Sequence, residues 1–305
     1  MSRARPNVYA SIVAIAASLA MLAACDGGAA QQREGASMSG VLLDGQLGEV
    51  SGMAASRRHR DVLWLIDDGG NPARLFAVDT RGRREATFSI EGVTKTDWED
   101  LAAFELDGAR YLLVADTGDN GGLRRTLQLH VLREPARLSN ARIRPEWSIA
   151  FRWPGGPRDC EAVAVDARRG QVLLVSKKRF PPELYVLPLR PAAGVQVARR
   201  VGALAGVPKP PPAREGRRPV DAQVTAASLS PDGDELAVMT YRHLLRYPRG
   251  EGRWRDAIAR PAILQRLPWL PQAEALAWSA NGRWLYATGE FAPAPLYRIP
   301  ARDDL

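Results

Sequence analysis

The sequence predicts an all-β fold, a β-propeller of five four-stranded blades, with six blades as the alternative. Two observations predict it. One short pattern recurs five times along the 305 residues, as Ser51-Gly-Met-Ala54, Glu99-Asp-Leu-Ala102, Glu161-Ala-Val-Ala164, Thr225-Ala-Ala-Ser228 and Glu274-Ala-Leu-Ala277. Each copy leads through a turn into a second apolar run, and strand-rich units of about 50–65 residues stack as small sheets around a ring. The second observation is the density of short β-branched and aromatic runs bounded by Gly, Pro, Asn and Asp, which are strand signals. A chain that is 46% hydrophobic supports one core of this size.

The first element is not part of that ring. Arg3 and Arg5 precede an apolar run from Val8 to Met21, too short to cross a bilayer as a stable helix, and residues 1–24 read as a signal peptide. The run ends in Leu22-Ala23-Ala24-Cys25, which resembles the lipobox of bacterial lipoproteins. The resemblance implies cleavage before Cys25, lipidation of its thiol, and acyl anchoring to a membrane at the cell envelope with the protein facing the periplasm. Asp26 resembles an inner-membrane retention signal, with the outer membrane left open. Residues 25–39 then form the lipidated cysteine and a flexible tether, small and polar without periodicity, and residues 40–305 a single propeller domain. With Cys25 acylated, Cys160 has no intramolecular disulfide partner.

Within the domain, Val41–Leu43 precedes the first repeat and is expected to supply the outer strand that the last unit lacks, closing the ring. Unit one contributes strands at Val62–Ile66, Leu75–Val78 and Ala86–Ile90; unit two at Trp98–Glu105, Tyr111–Ala115, Thr126–Leu132 and Trp147–Trp153. Unit three follows with Val172–Val175, Leu184–Leu187 and Val195–Val201. Unit four places Glu235–Met239 after the turn Ser230-Pro-Asp-Gly233, and unit five places Trp284–Ala287 after Ser279-Ala-Asn-Gly282, ending at Leu296–Ile299. The Pro-rich segment Val207–Pro219 reads as a surface loop.

In a propeller the start of each first strand and the end of each second strand share one rim. That rule gathers Asp67, Asp68, Asp97, Glu99, Asp100, Asp116, Asp119, Asp159, Glu161, Glu274 and Glu290 at one mouth, with Lys177, Lys178, Arg179, Arg242 and His243. Crowded carboxylates raise one another's pKa unless a cation intervenes, and a hard divalent cation, Ca²⁺ by preference, takes about 6–8 oxygen ligands. The expected ligands are Asp67, Asp97, Glu99, Asp116, Asp119, Asp159, Glu161 and Glu274. The expected catalytic groups are Glu99, Glu161 and Glu274 as bases or ligands, His243, and Lys177 and Arg242 as clamps on an anionic small molecule. Cys160 aligns with apolar residues in the other repeats and reads as a core thiol.

Other chemistries find little support. The net charge of +8 rests on 42 Lys and Arg, four of them lysine, but the arginines are scattered rather than striped, which argues against nucleic-acid binding. A Gly-x-Ser-x-Gly elbow and a pair of zinc-spaced histidines are both missing, which argues against a serine hydrolase or zinc enzyme.

The combination Ser51-Gly-Met-Ala-Ala-Ser56, Asp97-Trp-Glu-Asp-Leu-Ala102, Ala115-Asp-Thr-Gly-Asp-Asn120, Asp159-Cys-Glu-Ala162 and Ser230-Pro-Asp-Gly233 resembles the bacterial secreted propellers related to the phytase-like and esterase-like families. Over residues 45–300 the resemblance implies a propeller, and for activity a phytase-like or esterase-like hydrolase. Two function classes follow: a monomeric, metal-assisted hydrolase of phosphate or carboxylic esters, or a non-catalytic propeller that binds an envelope protein or polymer.

Overall fold

The computed structural model describes residues 35–209 and 220–301. The signal peptide, Cys25, most of the tether and the Pro-rich loop from 210 to 219 lie outside the described residues. The described chain begins with β1 (Ser37–Leu42). Blade 1 follows as β2 (Val50–Ala55), β3 (Val62–Asp67), β4 (Arg74–Asp79) and β5 (Arg84–Ile90), and blade 2 opens with β6 (Trp98–Leu106), β7 (Ala109–Asp116) and β8 (Leu127–Arg133). A short β9 (Ala141–Ile143) precedes the outer strand β10 (Pro145–Arg152). Blade 3 is β11 (Ala162–Asp166), β12 (Gln171–Val175), β13 (Glu183–Pro188) and β15 (Arg199–Ala203), with the short β14 (Gln196–Val197) before β15 belonging to the sheet of blade 2. Blade 4 is β16 (Val224–Leu229), β17 (Glu235–Thr240) and β18 (His243–Pro248), then helix α1 (Trp254–Ala259) and β19 (Ile263–Arg266). Blade 5 is β20 (Ala273–Trp278), β21 (Trp284–Gly289) and β22 (Ala294–Pro300).

These strands make five sheets of antiparallel meanders. The ring closes as the sequence predicts, for β1 pairs antiparallel with β22 as the outer strand of blade 5, Ser37 opposite Arg298 and Leu42 opposite Ala294. Both ends of the domain are thereby held in one sheet, and blade 5 has no bare edge on that side. The first three residues of the strand, 37–39, fall inside the predicted tether. Two outer edges are lengthened by parallel additions, β9 on β5 and β14 on β10. Sequence reading merges β14 and β15 into one strand; Ala198 between them is buried in the seam between blades 2 and 3, and the chain changes sheets at that point.

The inner strands read as unbroken apolar runs because both faces of each blade are covered by neighbours. In β3, Trp64 and Ile66 pack toward blade 2 while Leu63 and Leu65 pack toward blade 5. In β12, Val172 and Leu174 face blade 2 while Leu173 and Val175 face blade 4. Five hydrophobic clusters result, one at each seam between adjacent blades. Cys160 is fully buried in the seam between blades 2 and 3, its thiol facing the Val175 carbonyl at 3.3 Å, and burial pushes its pKa up. The expected core thiol is confirmed. Helix α1 escapes sequence reading because six residues are too few to show a 3.6-residue period. Trp254, Ala257 and Ile258 cap the seam between blades 3 and 4, and Trp254 Nε1 donates to Asp166 at 2.9 Å.

Candidate metal centre at the propeller mouth

In four of the five copies the position that opens the motif is a β-bulge. Strands β2, β6, β16 and β20 each carry one extra residue against their partner, and these residues are Ser51, Glu99, Thr225 and Glu274. In blade 3, Glu161 stands at the same place, immediately before β11. A bulge bends the strand and re-aims the side chain away from regular alternation, so the residue turns out of the seam and toward the channel mouth. This is why three blades carry a carboxylate there at no cost to the core. Thr225 in blade 4 instead donates to the Ala273 carbonyl at 2.6 Å, and Ser51 Oγ is buried with no hydrogen-bond partner.

Two trios of acidic side chains meet at this mouth. Asp68, Asp97 and Glu99 bring one oxygen each within 4.8 Å of one another, and so do Glu99, Asp159 and Glu161, with Glu99 common to both. Five carboxylates from the rims of blades 1, 2 and 3 therefore converge around Glu99. Glu99, Asp159 and Glu161 are buried, Asp68 and Asp97 half-buried. The electrostatics match the crowding. Burial, the Asp68 hydrogen bond and the Asp68 charge push Asp97 up to about 7. Burial and the Glu161 charge hold Glu99 well above the carboxylate range. Burial pushes Glu161 up to about 8 even though Lys177 opposes the shift. Glu274 reaches about 7 through burial and Glu290, with the Tyr241 hydroxyl donating to it at 3.0 Å.

The donors fit a hard divalent cation. All are carboxylate oxygens, the ligand class of Ca²⁺ and Mg²⁺ rather than of thiolate-seeking metals. Gly118 adds a steric argument, since a Cβ there would collide with the carboxylates of Glu99 and Asp97. The loop Asp116-Thr-Gly-Asp-Asn120 thus brings bare backbone against the acidic group.

Several expected residues serve other purposes. Asp67 is held by Lys95 at 2.8 Å, in a buried pair beside the Trp98 ring. Asp116 takes the Arg124 guanidinium at 2.6 Å and the backbone N–H groups of Thr96 and Asp97. Asp119 accepts from the amides of Leu123 and Arg124, shaping its own loop, and its N–H positions Asp159 at 2.9 Å. None of the three belongs to either trio, so the group of expected ligands gathered here is Asp97, Glu99, Asp159 and Glu161, with Glu274 flanking them. It gains Asp68, a residue at the predicted rim whose loop only the fold orients.

The expected cationic clamps also divide. Lys177 is buried and donates to Glu161; burial pulls its pKa down, but Glu161, Tyr241 and Glu99 outweigh this and raise it. Lys178 contacts Asp159 Oδ2 at 2.8 Å and bonds Asn120. Arg242 pairs instead with Asp221 at 3.3 Å, and His243 faces Arg266 across the β18–β19 pair. These two line a surface cavity of about 380 Å³ with Lys209, and their neighbours there are Asp221 and Arg266 rather than the acidic group.

Asp100, one residue beyond Glu99, is fully buried inside the ring. Its carboxylate accepts from Leu101 N at 2.8 Å, Val163 N at 2.7 Å and Ala227 N at 3.1 Å, joining the inner strands of blades 2, 3 and 4. Burial raises its pKa well above the usual value, with the three amides opposing.

No family model matches the chain, and no curated protein does. Among solved structures, that of U3-55K aligns at 14% identity over 82% of this chain and 67% of that one, TM-score 0.39. The WD40 repeats of RRP9 align at 14% identity over 83% of this chain and 67% of that one, TM-score 0.41. A chain of the nidogen/laminin complex aligns at 13% identity over 81% and 74%, TM-score 0.45. The propeller assignment stands on the sheet order and ring closure described above.

Proposed function

We propose that the mouth of this propeller is a divalent-cation site, Ca²⁺ by the chemistry of its donors, in a protein lipid-anchored at Cys25 and facing the periplasm. Its proposed activity is metal-assisted hydrolysis of a phosphate or carboxylic ester. One observation carries the reading: five carboxylates from three blades meet in two trios that share Glu99, while burial and mutual repulsion hold the pKa values of Asp97, Glu99 and Glu161 up. A protein gains nothing in stability from such an arrangement unless a cation offsets it. A divalent cation bound there supplies Lewis-acid polarisation of an ester oxygen. Asp97, Glu99, Asp159 and Glu161 would hold it, with Asp68 completing the group. Glu274, held near 7 beside the Tyr241 hydroxyl, is poised to take up or release a proton near neutral pH.

A second reading is favoured by the state of the lysines. Lys177 and Lys178 are engaged with Glu161 and Asp159, as they would be in a cation-stiffened propeller that presents its face to an envelope protein or polymer without catalysis. Thermal denaturation of the mature domain with Ca²⁺ and with chelator tests the cation site, and a panel of phosphate and carboxylic esters tests turnover. The cation site predicts a higher Tm with Ca²⁺; an identical Tm in both conditions and no metal on purification would remove it. Turnover lost in Glu161→Ala supports the hydrolase, and Ca²⁺-dependent stability without turnover on any ester supports the scaffold.

A further inference from the structure

A second cavity, of about 580 Å³, opens on blade 3 beside the acidic mouth. Its walls come from the loop joining blades 2 and 3, the β12–β13 loop, and strands β13 and β15. They carry Arg158, Arg179 and Arg200 with one carboxylate, Glu183, and the rings of Phe180 and Tyr185. Three guanidiniums against one carboxylate leave a local excess of positive charge.

Glu183 sets the geometry. Its two oxygens take Arg158 Nη1 at 2.8 Å and Arg200 Nε at 2.7 Å, and Tyr185 donates its hydroxyl to the same carboxylate at 2.8 Å. Burial alone would raise the pKa of Glu183, but Arg200, Tyr185 and Arg158 hold it below the usual range, so it stays ionised. Arg158 is further held between aromatic faces, its guanidinium 4.8 Å from the Tyr185 ring centre and 5.5 Å from that of Trp153. An arginine locked in this way is pre-organised, its Nε buried without a hydrogen-bond partner. Arg179 is exposed, and its charge is additional to the pairs that Glu183 makes. Phe180 is 47% exposed on the cavity wall, a large apolar face with no evident structural duty.

We propose that this cavity binds a phosphate ester with a flat, apolar organic group, the phosphate held by the arginines and the organic group against Phe180. Guanidinium forks match the oxygens of a phosphate, and a half-exposed ring beside them selects esters over the free anion. Position links the cavity to the mouth. Arg158 directly precedes Asp159, and Arg179 directly follows Lys178, whose ammonium reaches Asp159. That this ligand is also the substrate rests on the hydrolase reading above; the binding itself does not.

The experiment is calorimetric titration of the mature protein in chelator, using phenyl phosphate, inorganic phosphate and phenol as probes. Phenyl phosphate is expected to bind, inorganic phosphate about tenfold more weakly, and phenol not measurably. Arg179→Ala and Arg200→Ala are each expected to weaken phenyl phosphate about tenfold, the loss of one charge-assisted contact. Phe180→Ala should abolish the preference for phenyl phosphate over phosphate while leaving phosphate binding in place. Arg179 and Phe180 are exposed, so these variants keep the fold, which circular dichroism verifies. Absence of phenyl phosphate binding, or binding unaltered by both arginine changes, overturns the proposal. Because no cation is present, that failure is separable from failure of the metal site, which is read from the Ca²⁺-dependent Tm.

Discussion

Glu99 and Asp100 are neighbours in sequence, equally acidic and both buried, yet they stand in opposite circumstances. Asp100 lies in the channel wall with three backbone amides from three blades donating to it. Glu99, shifted by the bulge to the mouth, is surrounded by Glu161, Asp68 and Asp97, with Lys177 compensating in part. A buried carboxylate supplied with donors holds structure together; one crowded by its own kind is held for something that arrives later. Burial alone therefore separates nothing, and the identity of the neighbours decides.

The largest effect should come from the first of the pair. Asp100→Ala leaves three buried N–H groups without an acceptor and is expected to destabilise the domain by roughly 3–5 kcal/mol, measured by urea denaturation. Asp100→Asn should cost clearly less, because the amide oxygen still accepts. If the two variants were equally harmful, the stitching role would be lost.

Glu99→Gln should behave in the contrary sense. It removes a repelling charge, so the domain in chelator is expected to be as stable as the parent or more so. The gain from Ca²⁺, about 2.7 kcal/mol at a hundredfold excess over Kd, should disappear. A variant that still responds fully to Ca²⁺ would move the site away from Glu99.

The same crowding governs the pH dependence in chelator. Asp97 near 7, Glu161 near 8 and Glu274 near 7 all titrate above unfolded carboxylates, which lie near 4. The folded state thus binds more protons across that interval, and stability falls as pH rises from about 4 to 8. At about 1.4 kcal/mol per pKa unit for each group, discounted for the partial exposure of Asp97, the loss expected between pH 5 and 8 is several kcal/mol, read as a falling Tm. Ca²⁺ should flatten it, and a stability that instead rises with pH would contradict the crowding of these carboxylates.

Much of the architecture is legible in the residues. The runs Val62–Ile66 and Val172–Val175 fall within one residue of their strands, and the closing strand around Val41 is found where the deficit in unit five demanded one. Short range suffices here, since alternation, β-branching and turn residues act within a few positions. The rim was legible as a set but not in its members. Asp67, Asp116 and Asp119 look like ligands in sequence, but they stand outside both trios, held by Lys95, by Arg124 and by nearby backbone amides, pairings that only folded loops reveal. Arg242 and His243 follow the same strand-end rule as Lys177, yet Arg242 pairs with Asp221 and His243 lies opposite Arg266 on the neighbouring strand of blade 4.

Local patterning was thus enough to establish the repeat, the strands, the closure of the ring and the presence of carboxylates at its inner rim. Ring closure was needed to choose among them, because Asp68, Glu99 and Glu161 are distant in sequence and meet only when three blades are docked. The same docking sends Asp100 into the wall and leaves Glu99 at the mouth. One extra residue in a strand reverses the direction of a side chain, and nothing in its immediate sequence announces which side will be supplied with amides.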